Sequence, residues 1–144
     1  MNLDDTKAGL LDAALDEYAD ELRRAGEDAA VVTLAYTHRL HRCWRTILRM
    51  LPVPHESSVL DVGSRLGILA FELAANVPVR IQGVDIERGF VEHATTLLDR
   101  LAAVGMFVNG ARIEFSVPTG SGAGRRRAFP GRSAGAVSLC QRHR

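Results

Sequence analysis

The chain has 144 residues, of which 47% are apolar and 24% charged, and its net charge is +1. This is the make-up of one ordinary soluble globular domain, long enough to bury a core without covalent staples. Cys43 and Cys140 form neither a CxxC pair nor a disulfide framework, no run of about 18 apolar residues offers a membrane span, and the acidic start Met-Asn-Leu-Asp-Asp does not read as a secretory leader, so the expected setting is intracellular, cytoplasmic or nuclear.

Charge is unevenly spread. Residues 1–30 hold nine acids and three bases, residues 31–119 eight and nine, and residues 120–144 six arginines and no acid. Leu11, Leu15, Tyr18, Leu22 and Ala25 recur at steps of four and three, which predicts an amphipathic helix over 5–25. Arg23 and Arg24 suit its negative end, and Gly26 suits its stop. A second helix is predicted over 29–51, with an apolar stripe of Tyr36, Leu40, Trp44, Ile47 and Leu51, closed by Pro52 and Pro54. His38, Arg42, Arg45 and Arg49 line a second stripe. It suits nucleic acid or an acidic partner; the plainer reading is a solvated face paired with the acidic first helix.

The stretch Val59-Leu60-Asp61-Val62-Gly63-Ser64-Arg65-Leu66-Gly67 is the centre around which the rest of the chain is organised. It reads as a buried strand over 58–62, a tight glycine turn, and a helix running to Asn76. A turn of this kind offers backbone amides and a close approach to an adenosine-type ligand. A second strand over 79–84 ends at Asp85, 24 residues after Asp61. Next come a helix over 88–104, with Val91, Ala94, Leu98, Leu101 and Ala102 inward, then Gly105 and a third strand over 112–117. Strand, helix, strand, helix, strand implies parallel pairing through right-handed crossovers. After Thr119 the composition turns to Gly, Ser and Arg without periodicity, and disorder is expected over 120–144. The Arg125–Arg127 run is a weak signal for a nucleic-acid tail, and the abrupt change also reads as truncation or a shifted reading frame.

Two cofactor patterns compete at the turn. A dinucleotide fingerprint needs glycine at 63, 65 and 68, and only Gly63 is present. The pattern acid-x-Gly-x-Gly-x-Gly finds Asp61, Gly63 and Gly67 in place, with Arg65 in the middle. Val-Leu-Asp-Val-Gly-Ser-Arg-Leu-Gly resembles the first motif of the Rossmann-like S-adenosylmethionine-dependent methyltransferases, and Val-Asp-Ile-Glu at 84–87 resembles their second. The Asp-Val-Gly-Ser loop and the long helix after Asp85 resemble the Dot1-like histone lysine methyltransferases.

The resemblance covers residues 57–117. It implies an α/β fold: a partial Rossmann-like parallel sheet of three strands, preceded by two amphipathic helices and followed by the basic tail. The expected units are 1–56, 57–119 and 120–144. It implies S-adenosylmethionine or S-adenosylhomocysteine as ligand, held by Asp61, Gly63, Ser64, Gly67, Asp85 and Ile86. Asp61 would hold the loop or meet the ligand's ammonium end, and Asp85 would accept from ribose hydroxyls. Arg65 departs from the pattern by putting a long cation where the cofactor approaches. Ser116-Val117-Pro118 departs by lacking the acid that helps hold adenine.

The family's sheet is larger, and only 85 residues come after Val59 here. No methyl acceptor or catalytic base is evident, and the first strand would be an unpaired edge needing cover from the N-terminal helices, a partner or a second copy. A non-catalytic binding or interaction module therefore stands as the alternative to an enzyme. Elsewhere, His38 and His41 share a helix face without a third ligand, so no metal is expected. Cys43 beside Trp44 reads as packing, and His55 and His93 have no nucleophile partner in view.

Overall fold

The computed structural model describes residues 3–50, 53–118 and 136–140. In chain order the elements are α1 (Asp5–Ala25), α2 (Asp28–Met50), β1 (Ser58–Val62), α3 (Ile68–Asn76), β2 (Arg80–Val84), α4 (Arg88–Ala103), β3 (Arg112–Ser116) and β4 (Ala136–Cys140). The fold is α/β, a partial Rossmann-like sheet behind two amphipathic helices. Its strand order is β3-β2-β1-β4 and every pairing is parallel.

The crossovers β1–α3–β2 and β2–α4–β3 step in the same direction across the sheet. Two right-handed crossovers of that kind put α3 and α4 on the same face. Val59, Asp61, Ile81 and Gly83 are buried on that face. On the other face Leu60 and Val62 remain 40% and 37% exposed. β1 is not an edge: β4 pairs with it from Ser58↔Ala136 to Val62↔Cys140. That corrects the expected unpaired strand, and within the tail it replaces expected disorder by a strand at 136–140. Residues 119–135 and 141–144, with the Arg125–Arg127 run, lie outside the described residues. No helix among the described residues is long and apolar enough to cross a membrane.

α3 has no solvent face: Ile68 through Ala75 are buried without exception. One side meets Val59, Val79 and Ile81 of the sheet layer, and the other meets α1 and α2. Glu72 lies in the middle of this helix and is buried. The Arg45 Nε of α2 donates to it at 3.1 Å, so a cation accompanies the carboxylate into the interior.

α1 starts at Asp4, whose carboxylate accepts from the Thr6 and Lys7 amides, and stops at Gly26 in the left-handed region. Lys7 Nζ reaches the Ala75 carbonyl at 2.7 Å, giving the C-terminal end of α3 a cation and a donor. α1 buries Leu11, Leu15, Tyr18 and Leu22 as expected, whereas Ala25 is exposed.

In α2 the buried face is Ala30, Leu34, Thr37 and Leu48, not the expected stripe. Tyr36 and Ile47 are exposed, Leu40 is half-buried, and Leu51 and the Trp44 side chain lie outside the described residues. The cause is the charge on the neighbouring stripe. His38 Nε2 lies 2.8 Å from Asp12, Arg49 2.7 Å from Asp5, and Arg45 is shared between Glu72 and Asp5. Pairing with α1 and α3 turns His38 and Arg45 toward the protein and leaves Val32, Tyr36, Ile47 and Met50 outward, while Arg49 stays exposed. It also removes the stripe's nucleic-acid reading for those three residues. Cys43 is exposed and free, which corrects the expectation of packing.

α4 buries Ala94, Leu97 and Leu101, with Leu98 half-buried and Ala102 exposed. It is joined to α1 by a hydrogen bond between the Tyr18 hydroxyl and His93 Nδ1 at 2.8 Å, and by the paired contact of Arg100 with Glu21. His93 thus has a partner, a structural one.

Gly83 in β2 has a steric role. A Cβ there would overlap the Phe115 ring and come 3.0 Å from Ser64 Oγ. Gly83→Ala is expected to lower unfolding free energy in urea by about 1–3 kcal/mol, the usual cost of overpacking. Gly89→Ala, in open space in the first turn of α4, is expected to be neutral or stabilising by up to about 1 kcal/mol.

Candidate functional site

The carboxyl ends of β1 and β2 lie side by side, with Asp61↔Gly83 and Val62↔Val84 in register. In open parallel sheets this end is where ligands bind. The turn after β1 folds back onto the end of β2. The Gly63 and Ser64 amides both donate to the Val84 carbonyl, at 2.8 and 3.1 Å. The Arg65 amide donates to one oxygen of Asp85 at 2.9 Å, and the Glu87 amide donates to the other at 2.9 Å. The Gly67 amide donates to the Ser64 carbonyl at 2.8 Å.

Those bonds change the expected role of the loop. The amides of residues 63, 64, 65 and 67 are spent inside the protein rather than offered to a ligand. The positive end that remains open is the start of α3, where Gly67 supplies no side-chain cap.

The alternating glycine pattern has a backbone cause. Gly63, Arg65 and Gly67 all have positive φ, at 76°, 49° and 77°. Three left-handed residues at every second position make the turn, and glycine bears that geometry most easily. Arg65 bears it at a cost of about 1–2 kcal/mol. Its side chain lies over the Tyr36 ring of α2, 5.3 Å from the centroid. Gly67 has a further constraint: a Cβ would collide with the Phe115 ring and come 3.0 Å from Phe71. The close approach at Gly67 is therefore made by Phe115, an aromatic that motif and spacing do not single out. Its one signal in the chain is an aromatic on the third strand, level with Gly83.

The two acids differ sharply. Asp85 is buried and has a backbone donor on each oxygen, so it does cap turns and tie the loop down. Asp61 is 1% exposed, and neither of its oxygens has a hydrogen-bond partner among the described residues. Burial, and then the neighbouring Asp85 carboxylate, push the Asp61 carboxyl up to about 7. The Ser64 hydroxyl is likewise buried without a partner among the described residues. Ile86 projects into solvent beside them, 79% exposed. The structure thus brings Asp61, Ser64 and Asp85 together, with Gly63 and Gly67 as backbone hinges and Ile86 at the rim.

The arrangement suits a ligand with three features. A cation or a strong donor would satisfy Asp61. Hydroxyl donors could use the remaining lone pairs of Asp85. An apolar or aromatic surface would cover Ile86. The donor-poor Asp61 and the exposed Ile86 fit an adenosyl amino acid; the spent loop amides do not add to that fit.

No protein-family profile and no curated protein matches the chain. Among solved structures it is similar to YjhP from E. coli, at 21% identity and a TM-score of 0.44, over 52% of this chain and 28% of that one. It is also similar to YcgJ from Bacillus subtilis, at 23% identity and a TM-score of 0.43, over 55% of this chain and 30% of that one. The similarity therefore spans under a third of either protein. The functional reading rests on the site's own geometry.

A raised Asp61 has a definite sign in stability. Below the unfolded pKa of about 3.8 both states hold the proton and there is no penalty. As pH rises toward 7 the unfolded state ionises first, so stability is lost progressively and the loss is complete above the folded value. The stability of wild type relative to Asp61→Asn is expected to fall between about pH 4 and 7, by an amount on the order of 4 kcal/mol if the site does not relax. Urea unfolding of both proteins at each pH measures it; a flat difference would mean that Asp61 has a donor in solution.

Proposed function

We propose that this chain carries the cofactor-binding half of a Rossmann-like S-adenosylmethionine-dependent methyltransferase, with residues 57–119 as the binding unit. The observation that carries the reading is the buried Asp61 carboxyl group, without a donor among the described residues, at the end of β1 and next to Asp85. A buried carboxyl with no partner costs about 1–3 kcal/mol, and more when ionised, and points to a ligand that supplies one. An amino-acid ammonium does so. Asp85 accepts from the two ribose hydroxyls, Ile86 lies against the base, and Ser64 lends its hydroxyl. The bound cofactor supplies a methyl group on a positively charged sulfur. The residues of this chain bind and orient that group.

The acceptor is a separate matter. Protein lysine is one candidate, from the Dot1-like resemblance in sequence alone. Methyl transfer needs an acceptor held in line with the methyl group, and no residue of this chain is assigned that task.

A second reading, an interaction module that keeps the fold without the chemistry, is favoured by one observation. Leu60 and Val62 are left exposed in the middle of the sheet, where a doubly wound fold would pack helices.

Calorimetric titration with S-adenosylhomocysteine separates the two. Saturable binding is expected, weakened tenfold or more in Asp85→Ala, or about 1.4 kcal/mol. A folded chain that does not bind would overturn the cofactor reading and leave the interaction module.

A further inference from the structure

We propose that ligand binding at this site is an exchange for a proton: Asp61 stands protonated in the ligand-free protein, and a cationic group arriving there drives that proton into solvent. The inference rests on the cofactor reading above and concerns how pH regulates the same site.

The two neighbouring carboxyls are unequal in what surrounds them. Asp85 has a backbone donor on each oxygen, and its carboxylate acts on Asp61 toward keeping the proton there. Asp61 has none among the described residues, is almost completely buried, and sits beside that charge. Two adjacent carboxylates without a donor between them do not both ionise readily, and the proton settles on the one with no donors.

The surrounding charges do not relieve Asp61. On β2, Arg80 stands in register with Ser58 at the far end of the strand and on the opposite face. On α3, Glu72 is held by Arg45 of α2. In the turn, the Arg65 guanidinium lies over Tyr36. On β3, Glu114 is exposed on the opposite face. Among the described residues Asp85 is the charged group acting on Asp61, and it acts toward keeping the proton.

The balance is simple. The carboxyl O–H of Asp61 breaks and its proton passes to the buffer. An ammonium N–H then donates to the carboxylate left behind, a charge-assisted bond in a site that excludes water. Nothing is oxidised or reduced. A ligand of this class therefore binds more tightly as pH rises, until Asp61 is ionised in the free protein as well.

The test is titration of the whole chain with S-adenosylhomocysteine in buffers of different ionisation heat. With Asp61 near 7, release of roughly three quarters of a proton is expected at about pH 6.5 and almost none at about pH 8. The dissociation constant is expected to fall roughly thirtyfold between about pH 5.5 and pH 8. Asp61→Asn, neutral at every pH, is expected to bind with no proton release and a flat profile. Wild-type binding with no buffer dependence and a flat profile would overturn the exchange and leave the cofactor site standing. No binding by a folded wild type would overturn both. The wild-type buffer series decides the matter even if Asp61→Asn does not fold.

Discussion

The site depends on the way the turn after β1 is pinned to the end of β2. The Val84 carbonyl takes two successive amides and the Asp85 carboxylate takes a third. Those three bonds need the left-handed backbone at residues 63, 65 and 67, and they set where α3 begins. They also consume the donors that would otherwise lie near Asp61. The loop is held rigid by the acid of the second strand, and the acid of the first strand is left without a partner among the described residues. Structure and candidate chemistry come from one set of bonds.

Around that junction the packing is governed by α3. A helix buried on every side cannot have a solvent face, so its single acid must bring a partner inside, and Arg45 is that partner. Because Arg45, His38 and Arg49 of α2 turn toward α1 and α3, the apolar residues Val32, Tyr36, Ile47 and Met50 of α2 turn outward. Tyr36 then offers its ring to Arg65. The residue that departs from the glycine pattern is thus accommodated by a helix far upstream in sequence, and its cation lies on α2 rather than stretched across the strand ends.

Much of this was legible in the sequence. The period of α1, its stop at Gly26, the three strands with parallel order, and the pairing of Asp61 with Asp85 at adjacent strand ends all come from local pattern and right-handed crossovers. The inward face of α2 was not legible, because hydrophobicity alone cannot show that His38, Arg45 and Arg49 will find buried or neighbouring acids. β4 was hidden for another reason. Ala136-Val137-Ser138-Leu139-Cys140 is too short to outweigh the Gly- and Arg-rich composition before it, and its pairing with β1 is a long-range choice. At the candidate site, the placement of these residues at adjacent strand ends was readable and their bonding was not. The sequence offered Asp61 to the loop or a ligand's ammonium end, Asp85 to ribose hydroxyls, and Gly63 and Gly67 to close approach by a ligand. The fold makes Asp85 a structural tie as well, gives the space beside Gly67 to Phe115, and leaves Asp61 and Ser64 without a side-chain partner among the described residues.

The central claim is that the ends of β1 and β2, with the turn between them, form a site for an adenosyl amino acid. The most direct measurement is a two-dimensional amide NMR titration of the whole chain with S-adenosylhomocysteine. The claim predicts saturable shifts concentrated at residues 61–68 and 85–88, with the face of the sheet carrying Leu60 and the outer face of α2 unmoved. Shifts gathered on those outer faces instead, or a folded spectrum that does not change, would contradict it.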